Sequence, residues 1–104
     1  MSKFKISPEL EERRKEAIEE LEMFLDDNET FEDLEAANKA GTPGFHEVLI
    51  ALKIAMETFG THVYEHPAAV MDPEFYARVD KILEDMSELA ADMTERHLEA
   101  VQGA

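Results

Sequence analysis

Apolar residues recur at spacings of three and four along most of the chain, and nowhere in strict alternation. That period belongs to helices that bury one face. Four stretches can be marked off. The first opens at Ser7-Pro8, a capping hydroxyl followed by proline at the first helical position, where a missing N–H costs nothing. Glu9, Glu11 and Glu12 put negative charge at the positive end of the helix dipole. Leu10, Ile18, Leu21, Phe24 and Leu25 form its stripe and Asp26-Asp27-Asn28 breaks it, which predicts a helix over 8–26. The second, over 31–40, follows Thr30, with Asp33 three residues on as a short-armed capping box. Phe31, Leu34 and Ala37 make a narrow stripe, and Lys39 and Gly41 mark its end.

The third stretch, over 43–66, opens at Thr42-Pro43 and carries Phe45, Val48, Leu49, Leu52, Ala55, Met56, Phe59 and Val63, with Ile50 and Ile54 on a second face. A helix apolar on most of its circumference belongs at the centre of a bundle. Gly60-Thr61 interrupts good helix formers and predicts a kink or a close backbone contact. His66-Pro67 ends the stretch, because proline disfavours helix in the residue before it. After a bridge over residues 67–71, Asp72-Pro73 opens the fourth helix, over 73–101. Its stripe runs from Phe75 and Val79 through Ile82, Leu83, Met86, Leu89, Ala90 and Met93 to His97 and Val101.

The pattern predicts one all-α domain over 1–104: four helical segments in a small bundle, built on a long antiparallel hairpin of the third and fourth. With the turn centred near Ala69, His46 comes towards His97, while His62 and His66 go to the opposite end, about 20–30 Å away at the usual helical rise. Two stripes on the third segment need two surfaces to bury them, so the chain is expected to form a homo-oligomer.

Charge adds a location to this picture. The chain carries 25 acidic and 10 basic residues, a formal net charge of −15. Residues 8–40 hold −9 and residues 67–104 hold −6, whereas residues 43–66 hold only −2 and residues 1–7 hold +2. Acidic segments wrapped around a nearly neutral one would repel phosphate backbones and anionic membranes and attract basic proteins. No direct binding to nucleic acid or membrane is therefore expected. An acidic inhibitor that occupies a nucleic-acid-binding groove by imitating phosphate spacing is one version of a basic-partner binder. Charge that only keeps the protein soluble is the simpler account. No cysteine is present, which excludes disulfides and thiolate chemistry. The start, MSKFKISPEL, has lysines but no apolar run behind them, and the longest apolar run, Val48–Leu52, is far short of a membrane span, so a cytoplasmic protein is expected.

Few residues can carry chemistry. Ser2, Ser7 and Ser87 neighbour no histidine in any nucleophile motif, and the glycines at 41, 44, 60 and 103 form no phosphate loop. A non-enzymatic protein that acts by protein–protein interaction is the primary expectation. The sharpest local signal is His62-x-x-x-His66, two histidines on one helix face that can chelate iron or zinc, with Glu57 or Glu65 as further ligands. The pair supplies only two ligands, and neither Glu-x-x-His nor His-Glu-x-x-His occurs. Packed or solvated histidines account for it first, with His66 an imidazolium at a helix C-terminus. His46 with His97 is a weaker pair, since one histidine on an apolar stripe is more often a hydrogen-bonded core residue. Met23, Met56, Met71, Met86 and Met93 are mostly packing residues, which leaves Tyr64, Met71 and Tyr76, near the bridge, as the candidate partner contacts.

Overall fold

The computed structural model describes residues 4–103, and these are mostly helical with no strand among them. The protein is all-α. None of the described helices is long and apolar enough to cross a membrane. The chain divides into two compact units, residues 1–36 and 37–104.

In the first unit, helix α1 runs Pro8–Met23. Ser7 Oγ accepts from the Leu10 N–H at 3.2 Å, as its capping position predicts. The helix stops three residues short of the predicted end. Phe24 turns out of the helical region (φ −99°, ψ 3°), and the N–H groups of Phe24 and Leu25 reach back three residues, to the carbonyls of Leu21 and Glu22, which tightens the last turn. On the exposed side Arg14 forks onto Glu11 at 2.9 and 3.1 Å, which lowers the carboxyl and raises the guanidinium from their ordinary values. Helix α2, Phe31–Asn38, starts on a reciprocal capping box: Asp33 Oδ2 accepts from the Thr30 N–H at 3.0 Å and Thr30 Oγ1 from the Asp33 N–H at 3.2 Å. It ends two residues before the predicted 40.

The second unit is organised by α3, Pro43–Phe59, and α5, Pro73–Gln102. Thr42 Oγ1 accepts from the Phe45 N–H at 3.4 Å and Asp72 Oδ1 from the Glu74 and Phe75 N–H groups at 3.1 Å, so the Thr-Pro and Asp-Pro openings both act as caps. The more buried residues of α3 and the turn after it include the apolar row Phe45, Leu49, Leu52, Met56, Phe59 and Val63, with Gly44, Gly60 and Tyr64 beside it. Those of α5 are Tyr76, Val79, Leu83, Met86, Ala90, Met93, His97 and Ala100. Both rows alternate steps of three and four, the pattern of a coiled-coil seam. The Phe45 ring stacks on His97 and the Tyr64 ring lies against Tyr76, so numbers rise on one element as they fall on the other. The midpoints of these pairs fall at residues 71 and 70, slightly past Ala69.

The third segment is not a regular helix to 66. Residues Gly60–Tyr64 form a π-helical turn, in which the Glu65 N–H bonds the Gly60 carbonyl five residues back, at 3.1 Å. The glycine is not there for a close contact, since a Cβ on Gly60 would meet nothing within 4 Å. Nor is residues 67–71 a plain bridge: Pro67–Val70 forms a one-turn helix, α4, which buries Ala69. His66 is the N-cap of α4, in extended backbone, and its Nδ1 accepts from the Ala68 N–H at 3.0 Å. The imidazolium expected at a helix C-terminus is therefore a hydrogen-bond acceptor at a helix start. α5 runs one residue beyond 101, and the Gly103 N–H closes it on the Glu99 carbonyl at 2.9 Å.

Candidate functional site

The second unit carries an apolar groove of about 590 Å³ on one side of the α3–α5 seam. Leu49, Met56, Ala90 and His97 form its floor. Ile50, Ala91 and Leu98 form its walls, and His46, Lys53 and Thr94 supply the polar groups. The heptad pattern explains this lining. The floor residues belong to the seam rows, and in an antiparallel pair the positions one and four residues after a given seam row lie together on one side. No chemical motif marks Lys53 or Thr94. Only their offset from Leu49 and Ala90 could have singled them out.

His97 is the polar centre of this end. Its ring stacks on Phe45 with centroids 5.5 Å apart and on His46 at 5.8 Å. The Gly41 N–H donates to its Nδ1 at 2.9 Å. The hydrogen bond makes Nδ1 an acceptor, and a neutral imidazole then carries its proton on Nε2. Such a ring has no lone pair left for a metal. The same holds for His66 while its Nδ1 caps α4.

The other sequence candidates lie elsewhere. His62 sits in the π-turn and is exposed, as are Glu57 on α3 and Glu65 just after the turn. Among the described residues no three His, Asp or Glu side chains gather into a group able to hold a metal ion. Tyr64 and Tyr76 come together across the π-turn and α5, with ring centroids 4.8 Å apart, and the Tyr64 hydroxyl donates to Asp80 Oδ1 at 3.1 Å. Contact with the Tyr76 hydroxyl and then the bond to Asp80 raise the Tyr64 phenol well above its ordinary value. Asp80 was not singled out by the sequence, although it lies one helical turn after Tyr76. Met71, just after α4, is 80% exposed.

What stands out chemically is apolar surface. Among the described residues of the second unit only Ala69 and Val79 are buried, at 1% and 3% exposure. Val48, Ile54, Phe75, Ile82, Leu89 and Leu98 all remain about half exposed or more. No protein-family model matches the chain, and neither a curated protein nor a solved structure does so.

Proposed function

We propose that this is a small acidic, non-enzymatic, cytoplasmic α-helical protein that works by protein–protein interaction, as a homo-oligomeric bundle built on the α3–α5 hairpin. The observation that carries the reading is the exposure of large aliphatic and aromatic side chains on both sides of a two-helix seam in which, among the described residues, Val79 alone is buried. A pair of helices has one interface, and apolar residues flanking it stay wet until another surface covers them. The net charge of −15 supports basic proteins as further partners, because the acidic faces would speed their encounter.

Sedimentation velocity over a range of concentrations tests this. The expected result is a species heavier than the 11.8 kDa chain, together with salt-sensitive retention on an immobilised basic protein. A monodisperse 11.8 kDa monomer with no retention at low salt would overturn it.

A further inference from the structure

The two sides of the α3–α5 seam differ in character. The groove side carries His46, Lys53 and Thr94. On the opposite side, three of the residues just before a seam position of α5 are large and apolar: Phe75, Ile82 and Leu89, seven apart and 45–49% exposed, with Arg96 next in that row. The matching side of α3 carries Val48, Ala51, Ala55 and Thr58, mostly small residues and all exposed. The same face therefore bears three knobs on one helix and a shallow trough on the other.

We propose that this face binds a second copy of the chain, with α5 of each protomer laid on α3 of its partner about a two-fold axis parallel to the helices. This assignment rests on the self-association proposed above and specifies its geometry. Such an axis preserves height along the bundle, so each residue meets in the partner the level that it meets in its own protomer. With the register set by Phe45–His97 and Tyr64–Tyr76, Leu89 reaches the level of the partner's Ala51 and Ala55, and Ile82 the level of the partner's Thr58. Leu89 and Ile82 thus meet small residues, Phe75 lies level with Glu65 and His66 beyond the end of α3, and every neighbouring pair of helices in the four-helix bundle is antiparallel.

Charge selects the same pairing. The flank of α5 beside the knobs carries Arg78, Asp85, Asp92 and Glu99, and Arg96 continues the knob row, so laying α5 on α5 about the same axis would set each charge against its own kind. Along its whole length α3 has only Glu47, Lys53 and Glu57. Size is sufficient as well. A face about 30 Å long and two helices, or about 20 Å, wide has a footprint of about 600 Å², and interdigitating side chains raise it towards the roughly 800 Å² per partner of a stable interface.

The test uses the full chain and its lack of cysteine. Wild type should sediment as a dimer. Ile82→Asp should weaken the dimer at least about 100-fold, while Ile54→Asp, on the far side of α3 and somewhat more exposed in the monomer, should change it less than about 3-fold. Helical circular dichroism shows whether each variant folds. Should Ile82→Asp unfold, Thr58→Cys protein mixed with isotope-labelled Ile82→Cys protein decides: a mixed-mass disulfide is expected under mild oxidation. A dimer indifferent to Ile82→Asp, or lacking the mixed disulfide, overturns this face while leaving the protein-binding function standing. A wild-type monomer overturns self-association altogether.

Discussion

The backbone N–H of Gly41 donates to Nδ1 of His97 at 2.9 Å, tying together residues 56 positions apart. Gly41 is the one described residue with a positive φ, +95°, and a Cβ there would meet the Ala100 Cβ at 3.0 Å. The loop before α3 thus lies directly on the last turns of α5. The histidine that continues the apolar stripe of α5 is in the seam because it offers an acceptor to that loop.

His97→Leu keeps the bulk but removes the acceptor. A part-buried amide is left without a partner, so the second unit should lose about 1–3 kcal/mol. Urea denaturation followed by circular dichroism measures the change. An unchanged midpoint would mean that water replaces the imidazole at no cost.

Alanine at two glycines should act in opposite directions. Gly41→Ala forces a side chain into a left-handed conformation against Ala100 and should destabilise by about 1–2 kcal/mol. Gly60 has right-handed helical dihedrals and open space around it, so Gly60→Ala should stabilise by about 0.5–1 kcal/mol. Thermal melts of the two variants beside wild type give both signs in one experiment.

If His66 works as a cap, His66→Ala should cost about 1 kcal/mol whether or not zinc or iron is present. His62→Ala should be close to neutral, because that ring is exposed. Metal that stabilises wild type but not the double variant would restore the chelate reading of His62 and His66.

The Tyr64 phenol is held protonated by its hydroxyl partners Tyr76 and Asp80. A phenol raised in the fold contributes stability that is whole below its ordinary value of about 10 and is lost as pH climbs beyond it. Melting temperatures should therefore fall above about pH 10, and fall less in Tyr64→Phe. Ultraviolet titration should show one of the two tyrosines ionising late, and Asp80→Asn should bring it earlier.

Much of the local structure was legible because its causes are local. Ser7, Thr30, Thr42 and Asp72 each accept from an N–H three residues on, a distance set by the backbone alone, so these caps could be read from residue type and spacing. The broad apolar stripes from Phe45 to Val63 and from Phe75 to Val101 could be read for the same reason, since a helix fixes which residues share a face. The irregularity at Gly60–Tyr64 could be placed, at Gly60-Thr61, but its π-helical form could not be read. It shifts one hydrogen bond by one residue, and no side chain is required for that. His66 was misjudged as a consequence: once the helix ends early, the ring belongs to the helix that follows rather than the one before.

By itself, the sequence determined an all-α chain, its helix starts, and the concentration of acid away from α3, because these follow from residues within a turn or two of one another. Only the tertiary structure decided which members of each apolar stripe are covered. Val79 and Ile82 stand in the same stripe three residues apart, yet one is 3% exposed and the other 49%. A helix packed against one neighbour covers the row that faces it and leaves the flanking rows in water, and the periodicity of a single helix does not say where that neighbour lies.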